Sequence, residues 1–379
     1  MKISTITVWR KELPLKKPYR LSGGRLRFDA LDATFVRLEA DNGITGWGEA
    51  TPWGHTYLPA HGPGVRAGIE TLAPAVLGLD PCRIELVERA MDLCLPGHLY
   101  AKAPIDMACW DIVGQAFGRP VADLLGGCHP DPTPIASSIS TGTPEDMLGL
   151  IEEYRKLGYR VHSAKVGADA DLDIERIRFL EMHRRPGERI LYDANRAWTR
   201  REALLVMNAV ADLGITVEQP CETLDDIAAI RPLTRCAISV DERLETLQDM
   251  IRIAGDGLAE VVNIKLNRCG GLTKSRRIRD LALAHGIQCY VMATGGTALA
   301  DAEAVHLAQS IPAEHRLATW CCQDMLAADV TEGSGIRHDD GCLVVTGAPG
   351  LGITPDLAKL GEPVAQYGSQ NTGRPRNLS

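Results

Sequence analysis

Five charged residues recur at nearly constant spacing through the middle of this chain of 379 residues. Consecutive members are separated by 28, 25, 23 and 24 residues, and each one ends a short apolar run. They are Lys165, Asp193, Glu218, Asp241 and Lys265. A strand, a helix and their loops occupy roughly 30 residues in a barrel of eight such units. We therefore predict that each charge lies at the carboxyl end of a successive parallel strand, where such barrels hold their chemistry.

Helix-start signals fit the same repeat. Thr143 precedes Pro144, as an N-cap precedes proline at the first helical position. Thr199 and Glu202 have the spacing of a capping box, which starts a helix directly after the strand that ends at Asp193. The segments PIASSIS and HRLATW are predicted to form the first and the eighth strand.

The first third of the chain has a different pattern. Apolar and β-branched runs, separated by the turn signal Asp41-Asn42-Gly43, predict strands, and residues 65–125 have the apolar spacing of helices. The polar end of the chain, GSQNTGRPRNLS, is predicted to be disordered. We predict three parts: an N-terminal α+β capping domain (1–128), a barrel (129–340) and a C-terminal segment that returns to the capping domain (341–379).

Composition excludes several classes of protein. The net charge is −8 and no basic run stands out, so nucleic acid is not an expected partner. No long uncharged apolar window and no leader pattern are present, which predicts a cytoplasmic protein without a membrane span. The 11 cysteines lack CxxC spacing, which fits reduced thiols better than a disulfide framework or a zinc site.

Asp193, Glu218 and Asp241 would offer hard oxygen ligands at three neighbouring strand ends. That set suits Mg²⁺, with Mn²⁺ as an alternative ion. A single carboxylate in such a place is usually a solvated loop residue, but three in register favour a metal site. Asn195 and Glu242, beside the ligands, are predicted to support them, although a cap or surface role fits these two equally. Asn267 and Arg268, which follow Lys265, are predicted to reach the carboxylates as well.

Lys165 and Lys265 would lie on strands that face each other across the barrel. Beside a dication the pKa of a buried lysine falls toward the ~7–8 that suits a general base. A structural role, in which each lysine bridges metal carboxylates, is the alternative. A dication that binds a substrate carboxylate stabilises the enolate formed when the α-proton leaves. GxSxG and a strand-to-helix GxGxxG are absent, so neither a serine nucleophile nor a dinucleotide site is indicated.

A motif in the first domain identifies a family resemblance. The stretch AKAPIDMACWD at residues 101–111, followed by GRP and LLGG, is similar to a conserved pattern of the enolase superfamily. The resemblance implies a modified TIM barrel of the (β/α)₇β type, metal ligands at the three carboxylates, and loops 17–30 and 50–62 that close over the substrate. It also implies a symmetric homo-oligomer. Asp106, Trp110 and Asp111 are assigned to structure.

Lysines at both Lys165 and Lys265 resemble the muconate-lactonizing branch of that superfamily. The chain departs from the branch at Ser163, where the first lysine of a Lys-x-Lys pair would stand. The segment from Tyr290 to Thr294 lacks the histidine of the sugar-acid dehydratases. Asp324 alone stands where dipeptide epimerases carry Asp-x-Asp, which counts against that activity.

Within the branch, the loop at residues 51–62, LSGGR and GGTALAD resemble cis-3-hydroxy-L-proline dehydratases. This resemblance implies elimination of water from a small cyclic amino acid. The alternatives are 2-epimerisation of a proline betaine or an N-substituted amino acid, cycloisomerisation of a diene acid, and a binding role without catalysis. Ala293 and Thr294 stand where close relatives carry acidic residues, which affects the amine side of the pocket. The expected substrate contacts are Ser22, Trp53, His55, Tyr57, Thr294 and Gly295.

Overall fold

The computed structural model describes residues 1–21 and 26–368. Ser22 and the polar tail from residue 369, for which a substrate contact and disorder are predicted, lie outside these ranges. Within them the chain forms a four-stranded antiparallel sheet with helices, an eight-stranded parallel sheet and two small sheets. None of the described helices combines the length and the apolar character that crossing a membrane requires.

The N-terminal sheet has the order β17-β1-β2-β3, with antiparallel pairing, and β17 (Ala365–Gly368) is its last strand in the chain. Its first three strands are β1 (Ile3–Leu21), β2 (Leu26–Ala40) and β3 (Thr45–Ala50). Four helices follow: α1 (Gly62–Val76), α2 (Ile84–Cys94), α3 (Leu99–Phe117) and α4 (Val121–Leu124). Helix α3 packs directly on β3, because Gly48 has no Cβ to collide with the carbonyl oxygen of Pro104.

The barrel strands follow a short strand, β4 (Thr133–Pro134), and pair in parallel in chain order. They are β5 (Ala136–Ile139), β6 (Val161–Lys165), β7 (Arg189–Asp193), β8 (Thr216–Glu218), β9 (Ala237–Val240), β10 (Val261–Lys265), β11 (Gln288–Met292) and β12 (Arg316–Trp320). A parallel bridge between Ile135 and Thr319 joins the first strand region to the last. The predicted fold class, a modified TIM barrel with an α+β domain, is confirmed.

Helices cross between successive barrel strands, and threonine caps begin several of them. Thr143 caps the first helix and the capping box of Thr199 and Glu202 is present, as predicted. These caps satisfy backbone amides that the first helical turn leaves free. The barrel helices are α5 (Pro144–Arg155), α6 (Ala170–Met182), α7 (Arg200–Ala209), α8 (Leu224–Ile230), α9 (Leu247–Gly255), α10 (Leu266–Cys269), α11 (Leu272–Ala284) and α12 (Ala298–Ala308).

The last part of the chain forms short elements beside the barrel. The last described strand pairs antiparallel with β1, which brings the residues up to 368 into the N-terminal sheet. The elements are β13 (Thr331–Gly333), β14 (Ile336–Asp339), β15 (Cys342–Val345), β16 (Ile353–Pro355), α13 (Leu357–Leu360) and β17 (Ala365–Gly368).

Candidate active site

Strand register brings the five charged residues to one end of the barrel. Lys165 pairs in register with Asp193 on the next strand, and Asp193 pairs in the same way with Glu218. Asp241 directly follows β9, and Lys265 is the last residue of β10. Because all eight strands are parallel, these carboxyl ends meet at one edge. All five residues are buried.

The two lysines bind different carboxylates. The Lys165 ammonium forms an ion pair with Asp193. The Lys265 Nζ lies 2.6 Å from Asp241 Oδ2, and Arg268 Nη1 lies 2.7 Å from Asp241 Oδ1. Arg268 was predicted to reach the carboxylates, and it does contact one of them, Asp241. Burial opposes ionisation of Asp241, but Lys265 and Arg268 outweigh it and lower the pKa of this carboxyl to about 2.

Glu218 lies between these pairs and has fewer partners. Its Oε1 accepts a hydrogen bond of 2.8 Å from the Asn263 amide, whereas its buried Oε2 has no partner among the described residues. Burial, together with the Asp193 and Asp241 carboxylates, raises the pKa of Glu218 well above its ordinary value. A buried carboxylate oxygen without a donor, beside two further carboxylates, is the arrangement that a hard dication relieves. The three residues therefore fit a Mg²⁺ ion.

The groups around Lys165 determine the pKa of this predicted base. Burial lowers the pKa of this lysine, but Asp193, Tyr19 and Glu218 outweigh burial and raise it well above the ordinary value. The predicted fall of the pKa requires a dication on those same carboxylates, and it stays a prediction for the metal-bound form.

Asn195 and Glu242 form a polar layer behind the carboxylates. The Asn195 backbone amide donates to Asp193 Oδ1 at 2.8 Å, and its side-chain amide donates to Asp193 Oδ2 at 3.0 Å. The same amide lies 3.2 Å from Glu242 Oε1, which also accepts from Tyr57 Oη at 3.0 Å. Burial and the Asp241 and Asp193 charges raise the pKa of Glu242 to about 6. This layer orients Asp193 and connects it to the loop at residues 50–62, called the capping loop below.

Asn267 does not reach the carboxylates in this structure, unlike its neighbour Arg268. Its Oδ1 accepts from the Thr51 amide at 3.1 Å, and its Nδ2 donates to the carbonyl oxygen of Glu49 at 3.0 Å. Asn267 therefore binds the start of the capping loop to the barrel. Its position two residues after Lys265 predicted a place beside the ligands, but the short helix α10 turns this side chain toward the capping domain.

Residues of both domains line a cavity of about 50 Å³ above the carboxylates. Trp53, Tyr57 and Thr294 lie in its wall, and their predicted contact with substrate stays a prediction. His55 is exposed and is not part of this wall. Gly295 lies behind it, where an added Cβ would be 3.2 Å from the Trp53 indole nitrogen. The remaining lining residues are Tyr19, Ser138, Ser163, Lys165, Asp193, Glu218, Lys265, Tyr290, Met292 and Trp320.

Several aromatic residues of this wall were not singled out from the sequence. Tyr19, Tyr290 and Trp320 lie on β1, β11 and β12, so distant parts of the chain supply them. Trp53 packs against Tyr19 and Trp320, with ring centroids 5.2 and 6.1 Å apart. Tyr290 is inward-facing on a predicted strand, and the alternation of sides along that strand was the one available signal for it.

An α+β domain that covers three carboxylates and two lysines at the carboxyl end of a parallel barrel defines a class of barrel enzymes with a capped catalytic end. Residues 3–126 match the mandelate racemase/muconate lactonizing enzyme N-terminal domain, and residues 146–359 match the enolase C-terminal domain-like family. The chain therefore belongs to the mandelate racemase/muconate lactonizing enzyme family of the enolase superfamily, which confirms the resemblance of the motif at residues 101–111.

Relatives agree with this assignment over nearly the whole chain. The cis-3-hydroxy-L-proline dehydratase of Roseibium aggregatum is 39% identical over 97% of this chain and 100% of its own. The N-succinyl-L-Arg/Lys racemase of Bacillus cereus is 31% identical over 82% of this chain and 85% of its own. An L-Ala-D/L-Glu epimerase of Bacillus subtilis is 32% identical over 96% of this chain and 99% of its own.

Solved structures show the same architecture. A protein of the mandelate racemase/muconate lactonizing enzyme type from Silicibacter pomeroyi is 60% identical and has a TM-score of 0.94, with 97% of this chain and 100% of that chain covered. An enolase superfamily member from Roseovarius nubinhibens, solved in complex with magnesium, is 51% identical with a TM-score of 0.93 over the same shares.

Proposed function

We propose that this protein is a Mg²⁺-dependent hydro-lyase that removes the α-proton of a cyclic amino acid and eliminates water. The best-supported substrate is cis-3-hydroxy-L-proline, and the product is Δ1-pyrroline-2-carboxylate. The observation that carries the proposal is the placement of Lys165 and Lys265 at the ends of β6 and β10, with the strands of the three carboxylates between them. Identity to the Roseibium aggregatum dehydratase over nearly the whole chain supports the choice of substrate.

Asp193, Glu218 and Asp241 would hold the Mg²⁺ ion, or Mn²⁺ as the alternative. The bound dication would supply charge stabilisation to the substrate carboxylate as it takes the enolate form. The unpaired Oε2 of Glu218 supports this use of the three residues, as does the magnesium in the Roseovarius nubinhibens relative.

The two lysines divide the proton transfers between two faces of the substrate. In the muconate-lactonizing branch the lysine on the second strand faces the α-proton of an S carbon, so Lys165 Nζ takes that proton. The 3-hydroxyl of the cis substrate lies on the opposite face of the ring, anti to the α-proton. Lys265 Nζ protonates it as the C–O bond breaks, and water leaves as the C2–C3 double bond forms. The enamine then tautomerises to the pyrroline.

The cavity supports a compact substrate. At about 50 Å³ it is below the 300–1,000 Å³ of sites for larger ligands, and it would have to widen least for a small ring and most for a dipeptide or an N-succinyl amino acid. Aromatic faces of Trp53, Tyr57 and Trp320 surround it and would exclude water from the enolate. The same faces attract a ring ammonium through cation–π contact.

A second candidate is 2-epimerisation of a proline betaine or another N-substituted amino acid through the same enolate. The aromatic wall favours it, because a quaternary ammonium needs cation–π contact but no hydrogen-bond acceptor. Ala293 and Thr294 place no carboxylate at that wall. In this reaction Lys265 would return a proton to the α-carbon, so the leaving group of the substrate decides between the two outcomes.

The partners in this proposal are a small amino-acid substrate and further copies of the chain in a homo-oligomer. Nucleic acid and membranes have no part in it. A cytoplasmic location stays a prediction from the sequence.

Proton NMR in D₂O tests the proposed function. The full-length protein with Mg²⁺ should convert cis-3-hydroxy-L-proline to pyrroline-2-carboxylate, so the substrate signals fall as the product signals grow. Unchanged substrate would reject this substrate. The same test on a proline betaine then separates the alternatives, because α-deuteration without elimination identifies an epimerase. A matched incubation with chelator should abolish either reaction.

A further inference from the structure

Three side chains with metal-binding atoms meet away from the carboxylate site. Cys321 directly follows β12, Asp324 lies in the 3-10 turn Gln323–Met325, and His338 lies on β14. One thiol, one carboxylate oxygen and one imidazole nitrogen from these residues all lie within 4.8 Å of one another. Three separate segments therefore bring three different kinds of metal ligand to one point.

The geometry of the cluster distinguishes a metal site from a catalytic triad. Cys321 Sγ lies 3.7 Å from His338 Nε2, and Asp324 Oδ1 lies 4.0 Å from the same nitrogen. In a nucleophile–histidine–carboxylate triad the two partners bind opposite nitrogens of the imidazole ring. Here the thiol and the carboxylate both face Nε2, as does the Gln323 side-chain amide at 3.4 Å, and this nitrogen carries at most one proton and so serves only one group as donor or acceptor. A cation at their centre serves all three.

The separations fit the ligand sphere of zinc. With Zn–S near 2.3 Å and Zn–N near 2.0–2.1 Å, the sulfur and nitrogen of a tetrahedral site lie about 3.6 Å apart. The observed 3.7 Å between Cys321 and His338 agrees with that distance. The Asp324 oxygen lies 4.0 Å from His338 Nε2 and must approach it by about 0.6 Å to reach the roughly 3.4 Å of tetrahedral Zn–O and Zn–N ligands, which its half-exposed side chain allows.

We propose that Cys321, Asp324 and His338 bind a thiophilic divalent cation, best matched by Zn²⁺, at a site separate from the catalytic carboxylates. Asp324 and His338 line a cavity of about 650 Å³, which gives an ion a path to these two ligands and room for water as the fourth, whereas the Cys321 thiol is buried. The bound ion links the end of the eighth barrel strand to the β14–β15 hairpin.

Neighbouring groups already orient the ligands. Tyr159 Oη donates to Asp324 Oδ2 at 2.6 Å, which leaves Oδ1 on the side of the imidazole. Such outer contacts of a ligating carboxylate are typical of metal sites. The Cys321 thiol donates to Asp301 Oδ2 at 3.3 Å, and the two oxygens of Asp301 also accept from the backbone amides of Cys322 and Gln323, which holds the thiol in place.

The site also adjoins the catalytic cavity. Tyr19 and Ser138 line both cavities and are hydrogen-bonded to each other. The proposed ion therefore occupies a cavity that shares a wall with the active site. The proposal does not depend on the proposed reaction, since its ligands are not among the carboxylates and lysines of that site.

Titration with Co²⁺ tests the site. The full-length protein is stripped with chelator, saturated with Mg²⁺ and titrated with Co²⁺ while its absorption is recorded. The expected result is a thiolate-to-cobalt charge-transfer band that saturates at one equivalent and that Zn²⁺ abolishes. Oxygen ligands at the carboxylate site cannot produce that band, so cobalt bound there is distinguished. Absence of the band in the wild-type protein would overturn the proposal.

Variants complete the test. Cys321→Ser should abolish the band, whereas the matched control Cys322→Ser should retain it. His338→Gln and Asp324→Asn alter half-exposed side chains, so they preserve the fold and should each weaken Co²⁺ affinity by at least about tenfold. Circular dichroism confirms folding of every variant. A band that persists in Cys321→Ser, or equal affinity in both surface variants and the wild type, would contradict the assignment.

Discussion

The two lysine sides of the site are built differently. Lys165 forms its ion pair with Asp193 within the barrel. Lys265 lies 2.6 Å from Asp241, but its Nζ also lies 3.3 Å from the hydroxyl of Tyr57 and 5.5 Å from the centre of that ring. A residue of the capping loop thus contacts one lysine directly. The comparison teaches that barrel strands set the geometry of the proposed base, whereas loop closure helps to set that of the proposed acid.

Hydrogen bonds near Lys265 also attach the capping loop to the barrel. Tyr57 donates to Glu242 at 3.0 Å, and its carbonyl oxygen accepts from Arg196 Nη2 at 2.9 Å. Asn267 binds the backbone at Glu49 and Thr51, where the loop begins. Loop position and the geometry of Lys265 are therefore coupled through adjacent hydrogen bonds.

The largest expected effect is the loss of either lysine. Lys165→Ala and Lys265→Ala should each reduce turnover of cis-3-hydroxy-L-proline by about 10²–10⁴, since each removes one positioned proton transfer. Product formation followed by NMR measures this loss. The control is Lys274→Ala, which removes a lysine that pairs with Glu88 and Asp92 outside the site. Near-normal turnover in either active-site variant would make that lysine structural.

The second largest effect is expected at Glu49, which lies where the capping loop begins, and it concerns the pH dependence of stability. Burial raises the pKa of Glu49 from its ordinary value of 4.5 to about 7, although hydrogen bonds from Thr297 and Thr51 oppose the rise. The folded protein thus holds this proton more tightly than the unfolded chain. Its stability should therefore fall by about 3 kcal/mol as the pH rises from 4.5 to 7, and the decline should end above that range.

Glu49→Gln should remove this part of the pH dependence. The free energy of unfolding at pH 5 and pH 8 measures the difference, and Glu12→Gln is the control because Glu12 is an exposed carboxylate of the same sheet. An equally steep pH dependence in Glu49→Gln would show that this carboxyl is not buried as the structure has it.

A smaller effect is expected for the loop contact itself. Tyr57→Phe keeps the aromatic face but removes the hydroxyl that contacts Lys265 and Glu242. Loss of one hydrogen bond to a charged group should lower kcat by about tenfold with little change in KM. Thr56→Ala, an exposed change in the same loop, is the control. A rise in KM with kcat unchanged would assign Tyr57 to substrate binding rather than to positioning Lys265.

The smallest effect is expected for Glu218, whose strand lies between those of Lys165 and Lys265, and it concerns the melting temperature. Because the pKa of Glu218 is raised, its ionised form costs the metal-free fold stability at any pH above the ordinary carboxyl pKa. Glu218→Gln should therefore raise the Tm in chelator by about 2 °C or more and should lose the increase that Mg²⁺ gives the wild type. A lower Tm in chelator, or an unchanged response to Mg²⁺, would contradict the assignment of Glu218 as a ligand.

The sequence was sufficient for the parts of the site that strand spacing determines. Lys165, Asp193, Glu218 and Lys265 end their strands as predicted, and Asp241 follows its strand directly. Parallel register then brings them together, because each strand ends at the same edge. Their roles as ligands and bases stay predictions. The caps at Thr143 and Thr199 were equally accessible, since each is indicated by a residue at most three positions further along the chain.

The sequence was insufficient where packing between domains decides the direction of a side chain. His55 and Tyr57 are two residues apart in one loop, yet only Tyr57 reaches the cavity. Irregular loop backbone has no period from which the inward positions could be read. Because Asn267 follows Lys265 closely in the sequence, we predicted it beside the metal ligands, but it binds the capping domain. Tyr19 enters from a strand of the other domain, which local patterns do not report.

One measurement tests the division between the two lysines most directly. Deuterium incorporation at the α-carbon of cis-3-hydroxy-L-proline in D₂O with Mg²⁺ is followed in Lys165→Ala and Lys265→Ala. Lys265→Ala should exchange the α-proton while elimination is slow, because the base on the other face is intact. Lys165→Ala should show neither exchange nor elimination. Retained exchange in Lys165→Ala, or lost exchange in Lys265→Ala alone, would contradict the assignment of the base to Lys165.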